Sequence, residues 1–319
     1  MTEHNIQPVS QGRSEPLLRP GNTNCGGCGM SVALQMFNRA IGDAKVQLVL
    51  PACCAAVAAG GFPFTVYGAP LLMSTFASAA AVASGMAQVA RLNGESTRVV
   101  CWAGDGGTYD IGLASISAAA ERNEDILFVC YDNEIYGNTG GQRSSATPAG
   151  ASTTNTPTGK TEAKKDILAI MAAHRIPYAA TISLANPDDA LRKMKRSVNE
   201  RGFRFLLILS PCPTGWKSEP AMTIELVRLA VRSGLFPVLE VEGGSRWTLN
   251  VEPDFSRAAL ERYVSLQRRF QKSGVTPDDF ATGIKRQWEQ LLIRTGNISI
   301  TEQWDVLLGN KQDHLFLSV

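Results

Sequence analysis

The chain has 319 residues, 44% of them hydrophobic, and its 31 basic side chains nearly balance 29 acidic ones, which leaves a net charge of +2. This composition is that of a globular protein, and it lacks the excess of basic residues with which proteins bind nucleic acids or anionic membrane surfaces. Because residues 1–22 contain no apolar signal-peptide core and no apolar run reaches the roughly 20 residues of a membrane helix, we expect a cytoplasmic protein.

Along the chain, apolar segments of strand length alternate with segments of helical periodicity. The predicted strands are residues 45–50, 96–104, 125–133, 177–183 and 204–210. The predicted helices between them are residues 76–93, 112–123, 164–175 and 187–202. Such alternation is typical of the α/β class, so we predict a mostly parallel sheet with helices on both faces.

The pattern changes after residue 216. The remaining predicted elements are a helix at 223–233, a strand at 236–243 and two amphipathic helices near 256–272 and 277–294. We therefore divide the chain into an N-terminal segment (1–17), a binding domain (18–216) and a mainly helical C-terminal extension (217–319). We expect the extension to make subunit contacts.

Two predicted strands end in sequences that are typical of a site where a phosphate and a cation bind together. The strand at 96–104 runs into AGDGG, where glycines let the backbone approach a phosphate and Asp105 offers a carboxylate oxygen. Asn133 ends the next strand. Because ligands of open parallel sheets bind beyond the carboxyl ends of the strands, both side chains could reach one cation. A dinucleotide site is the competing interpretation, but no G-x-G-x-x-G opens a helix after the first strand.

The chain has seven cysteines, and an odd number without an export signal disfavours structural disulfides. Cys101 and Cys130 lie inside apolar strands, where a free cysteine behaves as a small buried hydrophobe. The others lie in turn-like sequence: Cys25, Cys28, Cys53, Cys54 and Cys212. Together these segments can supply four thiolates at one edge of the sheet, a ligand set that suits zinc and a [4Fe–4S] cluster alike.

Taken together, the motifs resemble a known family. A GDG followed by an asparagine at the next strand end is similar to the signature of the thiamine-diphosphate-binding fold. The family motifs occur in the order CGGCG, LPACC, GDGGTYDIG, YDNEIYGNTGGQRSSATP, TPTGK and SPCPTGW. They resemble the β chain of 2-oxoacid:ferredoxin oxidoreductases, such as pyruvate:ferredoxin oxidoreductase, over roughly residues 18–245.

The resemblance implies a site for thiamine diphosphate. It assigns Mg²⁺ to the Asp105 carboxylate, the Asn133 side chain and the Ile135 carbonyl oxygen. The residues that it places around the cofactor are Gly104, Asp105, Gly106, Gly107, Asn133, Ile135, Asn138, Thr139 and Cys54. Asn138 and Thr139 lie in the segment that resembles the family's active-site loop, and they are the candidate catalytic residues.

The resemblance also implies a [4Fe–4S] cluster held by Cys25, Cys28, Cys54 and Cys212. In the family the third of these ligands lies in a P-T-G-C segment, and this chain has PACC at residues 51–54. Aligning the two segments makes Cys54 the ligand and puts Cys53 where the family has glycine.

The implied activity is oxidative decarboxylation of a 2-oxoacid, with pyruvate as the first candidate substrate, oxalate as the second, and coenzyme A as a candidate cosubstrate. Electrons would pass through the cluster to ferredoxin. The implied partners are an α chain, which supplies a glutamate that completes the thiamine site, and a ferredoxin-like chain with further clusters. Two alternatives stay open at this point: a non-oxidative thiamine-dependent decarboxylase or synthase without a cluster, and a binding module stapled by zinc.

Overall fold

One eight-stranded sheet forms the centre of the computed structural model, which describes residues 15–61 and 63–296. In chain order the strands are β1 (Val46–Pro51), β2 (Leu71–Ser74), β3 (Arg98–Gly104), β4 (Ile126–Asp132), β5 (Tyr178–Ile182), β6 (Arg204–Leu209), β7 (Val238–Glu242) and β8 (Arg246–Val251). Across the sheet their order is β2-β1-β3-β4-β6-β5-β7-β8. The strands from β1 to β6 pair in parallel, and β7 and β8 join antiparallel. The predicted mostly parallel sheet is therefore confirmed.

Helices shield this sheet from solvent. In chain order they are α1 (Gly29–Ile41), α2 (Cys54–Ala58), α3 (Ala79–Leu92), α4 (Leu113–Glu121), α5 (Ile167–Ala173), α6 (Pro187–Asn199), α7 (Pro213–Trp216), α8 (Thr223–Arg232), α9 (Arg257–Ser265) and α10 (Pro277–Thr295). Every residue of β4 and β6 is buried, which requires cover on both faces of the sheet. The α/β class is confirmed, and no described helix is long and apolar enough to cross a membrane.

The structure contains two strands that the sequence pattern did not predict. Strand β2 has only four residues, pairs with β1 alone and leaves Leu72 and Met73 largely exposed, so it carries no apolar periodicity. Strand β8 forms the opposite edge of the sheet, and each of its residues is exposed or half-buried. Both are edge strands, and their pairing depends on neighbours rather than on their own sequence.

The helix predicted at 256–272 is shorter than expected. Helix α9 ends at Ser265, and a separate 3₁₀ turn follows at Arg268–Phe270. The buried side chain of Gln267 causes this break, because its amide Nε2 donates to the Tyr263 carbonyl oxygen (2.7 Å) and takes the place of a backbone donor. The break turns residues 268–270 back towards the rest of the chain.

The predicted boundary at residue 216 stays a prediction, but the sheet continues across it. Strand β7 lies beyond the boundary and pairs with β5, so that Ala180 faces Glu240. Helix α10 is fixed to the same body by Trp288, whose indole N–H donates to the Gly234 carbonyl oxygen (2.8 Å). Residues 1–14 of the predicted N-terminal segment and residues 297–319 of the predicted extension lie outside the described residues.

Glu240 ties together the antiparallel end of the sheet. Its carboxylate accepts hydrogen bonds from Tyr178 (2.6 Å), Arg192 (2.6 Å) and Asn250 (2.7 Å), which belong to β5, α6 and β8. Burial alone would raise the pKa of Glu240, but the hydrogen bonds from Arg192 and Tyr178 outweigh it and lower the pKa to about 2. The folded protein therefore holds this carboxylate in its charged form.

This arrangement predicts a specific acid sensitivity. A glutamate in an unfolded chain has a pKa of about 4.3, so the stability from Glu240 is present above that pH and is lost as the pH falls towards 2. The urea midpoint of the wild type should therefore fall more steeply between pH 5 and pH 3 than that of Glu240→Gln. Parallel pH profiles of the two proteins would contradict this role.

Candidate functional site

The predicted site residues follow four neighbouring strands. In the sheet β1, β3, β4 and β6 lie side by side and in parallel, so their carboxyl ends form one edge. Cys54 follows β1, Asp105 follows β3, Asn133 follows β4 and Cys212 follows β6. The structure thus brings together segments that are more than 150 residues apart in the sequence.

Three oxygen atoms converge beside β3 and β4. The terminal amide atom placed as Asn133 Oδ1 lies 3.0 Å from Asp105 Oδ1 and 2.7 Å from the Ile135 carbonyl oxygen. It also accepts a long hydrogen bond from the Ile135 N–H (3.3 Å). If the amide were turned over, its nitrogen would occupy this position and donate to both oxygens. A cation bound by Asp105, Asn133 and Ile135 would instead favour the amide oxygen at this position. Adjacent ligands of an octahedral Mg²⁺ with bonds of about 2.1 Å lie about 2.9 Å apart, so the spacing fits this ion.

Asp105 is 2% exposed and accepts a hydrogen bond from the Ser144 hydroxyl. Burial, and after it the negative charge of Asp132, raises the pKa of Asp105 well above its usual range. A buried carboxylate of this kind needs a compensating positive charge to stay ionised. The donor set is therefore suited to a hard cation.

The backbone after Asp105 forms a tight turn, Gly106–Asp110, of π-helical type. A Cβ atom at Gly106 would lie 2.3 Å from the ring of Tyr136 and 2.9 Å from that of Phe76, so only glycine fits this position. Phe76 and Tyr136 meet edge to face, with ring centroids 6.0 Å apart. Sequence reasoning assigned a role to neither aromatic residue: Phe76 lies outside the quoted motifs, and Tyr136 lies inside one without having been recognised as part of the site.

A cavity of about 90 Å³ opens beside Asp105. Every residue predicted to bind the cofactor lines this cavity: Gly104, Asp105, Gly106, Gly107, Asn133, Ile135, Asn138, Thr139 and Cys54. Phe76 and Tyr136 also line it, together with Ala52, Cys53, Tyr131 and Gly137. The structure thus gathers the complete predicted set in one place.

A second cavity, of about 450 Å³, adjoins the first. All the predicted cluster ligands line it: Cys25, Cys28, Cys54 and Cys212. The wall between the two cavities consists of the six residues that line both of them: Cys54, Tyr131, Asn133, Ile135, Gly137 and Asn138. Gly137 lies beside two of these cysteines, since a Cβ atom there would stand 3.3 Å from the Cys54 sulfur, a tight contact, and 3.9 Å from the Cys212 sulfur.

The cysteine side chains are close enough to influence one another electrostatically. Burial, and after it the charge of Cys212, raises the pKa of Cys54 to about 12. Burial raises the pKa of Cys212 to about 11, although a hydrogen bond from the Gly215 N–H (3.3 Å) opposes this shift. Thiolates would form here only beside a positively charged group.

No group of three or more His, Cys, Asp or Glu side chains within residues 15–61 and 63–296 is gathered closely enough to hold a single metal ion. Four thiolates on one zinc ion would lie only about 3.8 Å apart, because Zn–S bonds are about 2.3 Å long. The cysteines instead surround a cavity of about 450 Å³, which has room for a larger group.

The adjacent residues Cys53 and Cys54 have different surroundings. Cys54 lines both cavities, whereas Cys53 is 6% exposed and touches only the smaller one. Burial raises the pKa of the Cys53 thiol, against a smaller opposing effect of its hydrogen bond with Tyr131. Cys101 and Cys130 are fully buried, in agreement with the prediction that they pack as hydrophobes.

Comparison with known proteins places these features in a family. Residues 53–208 match the family described as "Thiamine pyrophosphate enzyme, C-terminal TPP binding domain". The ketoisovalerate oxidoreductase subunit VorB of Pyrococcus abyssi is 42% identical over 286 residues, which are 85% of this chain and 91% of that protein. The pyruvate synthase subunit PorB of Methanothermobacter marburgensis is 40% identical over 263 residues, 81% of this chain and 90% of that one.

A solved structure agrees with these relatives. The 2-oxoglutarate:ferredoxin oxidoreductase from Magnetococcus marinus matches with a TM-score of 0.54 and 25% identity over 70% of this chain and 81% of that one. The thiamine-diphosphate-binding fold is thereby confirmed, and so is the resemblance seen in the motifs. The chain belongs to the β-subunit family, represented by VorB and PorB, of the thiamine-diphosphate-dependent 2-oxoacid:ferredoxin oxidoreductases.

Proposed function

We propose that this subunit binds thiamine diphosphate through Mg²⁺ in the cavity beside Asp105 and a [4Fe–4S] cluster in the cavity lined by cysteines. The observation that carries the proposal is the shared wall: six residues line both cavities, among them the proposed cluster ligand Cys54 and the proposed magnesium ligands Asn133 and Ile135. Electrons released at the first cavity would have only this wall to cross. Such proximity suits oxidative decarboxylation of a 2-oxoacid with electron transfer towards ferredoxin.

The oxygen atoms at the edge of the sheet support the magnesium assignment. The Asn133 side chain lies 3.0 Å from the Asp105 carboxylate and 2.7 Å from the Ile135 carbonyl oxygen, and both distances are close to the spacing of adjacent ligands on an octahedral ion. Glycines 104, 106 and 107 let the backbone approach the diphosphate that the ion would neutralise.

The chemistry of the cysteine cavity supports the cluster assignment. We assign its ligands as Cys25, Cys28, Cys54 and Cys212, since all four line one cavity that is larger than a zinc site. Thiamine diphosphate supplies the electron sink for decarboxylation of the 2-oxoacid, and an iron–sulfur cluster takes up electrons one at a time. Absorbance in the visible region that is bleached by dithionite would separate this assignment from a zinc staple and from a cluster-free thiamine decarboxylase.

Asn138 and Thr139 lie at the mouth of the first cavity, and both side chains are exposed. Their loop is closed by hydrogen bonds from the Tyr136 N–H to the Gln142 carbonyl (3.0 Å) and from the Gly141 N–H to the Tyr136 carbonyl (2.9 Å). The Thr139 hydroxyl donates to Gln142 Oε1 (2.6 Å). We assign Asn138 and Thr139 to contact with the substrate, because both are polar, exposed and part of the lining of this cavity.

The site calls for a second subunit. Asp105 is the only acidic side chain among the described residues that line the first cavity, and we assign it as a ligand of Mg²⁺. We propose that the glutamate which activates the cofactor comes from an α chain, and that a ferredoxin-like chain carries electrons onward to ferredoxin. The exposed mouth at Asn138 and Thr139 is where the α chain would complete the site.

For the substrate we propose pyruvate, with ketoisovalerate as the second candidate, because relatives of similar identity are named for each of these 2-oxoacids. The decisive experiment is reduction of viologen by the purified complex with pyruvate, ketoisovalerate, 2-oxoglutarate and oxalate, each with and without coenzyme A. The 2-oxoacid with the highest kcat/KM identifies the substrate, and dependence on coenzyme A identifies the cosubstrate.

The need for partners makes a prediction of its own. The isolated chain, loaded with cluster, Mg²⁺ and thiamine diphosphate, should show no viologen reduction with any 2-oxoacid, because the activating glutamate is missing. Adding the α chain and the ferredoxin-like chain to the same preparation is the control, and it should restore turnover. Robust activity of the chain alone would refute the assignment of that glutamate to a partner.

A further inference from the structure

Glu134 has an unusual conformation between two of the proposed magnesium ligands. Its backbone φ is +62°, in the left-handed region that residues with a side chain rarely adopt. Asn133 precedes it and Ile135 follows it, so this turn lets the side chain of one neighbour and the carbonyl oxygen of the other reach the same point. Holding Glu134 in place therefore holds the magnesium ligands in place.

Two cations hold the Glu134 side chain. Lys164 Nζ lies 2.8 Å from Oε1, and Arg269 Nη2 lies 2.7 Å from Oε2. Glu134 and Arg269 are both almost fully buried, at 5% and 2% exposure, so their ion pair is shielded from water. Lys164 also bonds Asp132 Oδ2 at 2.6 Å, and the group therefore contains two carboxylates and two cations.

Arg269 also contacts the segment that carries Cys212. Its guanidinium lies over the ring of Trp216, 4.0 Å from the centroid. Trp216 ends helix α7, which begins directly after Cys212, and its backbone N–H donates to the Cys212 carbonyl oxygen (2.7 Å). The indole N–H of Trp216 donates to the Asn133 carbonyl oxygen (2.8 Å).

Arg269 thus touches both sides of the site at once. It bonds the carboxylate of Glu134 on the magnesium side and stacks on Trp216 on the cysteine side. Its own position is fixed, because its carbonyl oxygen accepts hydrogen bonds from the N–H and the hydroxyl of Ser152, both at 2.7 Å. Its Nε donates to Gln267 Oε1 (2.9 Å).

We propose that Arg269 is a positioning residue that holds the magnesium-binding turn and the Cys212 segment in one fixed geometry. The inference rests on the proposed function of the two cavities and adds a residue to it. Arg269 lies in the predicted C-terminal extension, 135 residues from Glu134, so that part of the chain would shape the cofactor site as well as make subunit contacts.

Charge and positioning make opposite predictions. Replacing Arg269 with Gln leaves one negative charge in excess in the buried group, and by electrostatics alone this would tighten Mg²⁺ binding. If Arg269 positions the turn, the same change weakens Mg²⁺ and thiamine diphosphate binding, because Glu134 loses one of its two anchors. Arg269→Lys keeps the charge but loses the planar stack on Trp216, so it too should weaken binding.

The test measures the dissociation constants of Mg²⁺ and thiamine diphosphate in the assembled complex. We expect roughly ten-fold weaker binding of both for Arg269→Gln, within the range found when groups that orient metal ligands are removed. A loss of several-fold is expected for Arg269→Lys and for Trp216→Phe, which removes the N–H donated to Asn133 and reduces the ring on which Arg269 stacks. Arg268→Gln, a change at the exposed neighbouring arginine, is the matched control and should stay within two-fold of the wild type.

Each result has one meaning. Tighter or unchanged binding in both Arg269 variants would overturn the proposal, even if their melting temperatures fell. If Arg269→Gln does not assemble, Arg269→Lys and Trp216→Phe decide by the same criterion. Asp105→Ala is measured alongside the Arg269 variants. If Asp105→Ala binds Mg²⁺ and thiamine diphosphate normally, the magnesium assignment itself fails. If Asp105→Ala binds them weakly but the Arg269 variants bind them normally, only the role of Arg269 is refuted.

Discussion

Replacing Asp105 with alanine is expected to weaken the binding of thiamine diphosphate by roughly 100-fold or more, because the variant loses the one anionic ligand proposed for Mg²⁺. Asp105 is 2% exposed, so water cannot easily take its place. Without the ion, the diphosphate would face the oxygen atoms of Asn133 and Ile135 with no positive charge between them. The affinity is measured by titrating the cofactor into the complex at fixed Mg²⁺.

Asp105→Asn is the matched variant for this test. It keeps the shape of the side chain and its contact with the Ser144 hydroxyl, but it removes the charge. Both variants should keep the iron content and the visible spectrum of the wild type, because Asp105 does not line the larger cavity that holds the four cysteines. Normal cofactor affinity in Asp105→Ala would contradict the assignment, and loss of iron in Asp105→Asn would point to general misfolding.

Replacing Cys54 with alanine is expected to abolish viologen reduction with every 2-oxoacid and to lower the iron content sharply. Cys54 lines both cavities, so it is the proposed cluster ligand nearest to the cofactor. A cluster that loses one of its four thiolates is left open to solvent and to loss of iron. Iron per chain and the absorbance that dithionite bleaches are the measurements.

Cys53→Ala is the matched control, since it removes a thiol from the adjacent residue. Cys53 does not line the larger cavity, so iron content should stay at the wild-type value in this variant. The reverse outcome, with iron lost in Cys53→Ala and kept in Cys54→Ala, would exchange the roles of the two residues.

The sequence predicted the inner strands of the sheet better than its edges. Strands β3, β4 and β6 are buried throughout or almost throughout, and their continuous apolar runs were sufficient to predict them. The edge strands β2 and β8 were missed because half of their surface faces away from the core. The early end of helix α9 could not be predicted from apolar periodicity, because it involves a side-chain hydrogen bond from the buried Gln267 amide to the Tyr263 carbonyl oxygen.

For the site, the sequence by itself predicted the residues whose proposed role depends on local backbone shape. Asp105 lies in a turn that only glycine can complete, and Asn133 lies at a strand end. These backbone shapes depend on a few consecutive residues, so a short sequence motif is enough to predict them. The same holds for the paired cysteines Cys25 and Cys28 at the start of α1.

Only the tertiary structure decided which thiol faces which cavity and what holds the magnesium-binding turn. Alignment with the family's P-T-G-C segment favoured Cys54 as the ligand, but only the structure shows that Cys54 lines both cavities, whereas Cys53 lies against Tyr131 and lines only the smaller one. Arg269 belongs to no motif, and it reaches Glu134 because Gln267 ends helix α9 and turns the chain back. Buried ion pairs and side-chain packing join residues that are distant along the chain, so the spacing of residue types in the sequence carries no signal for them.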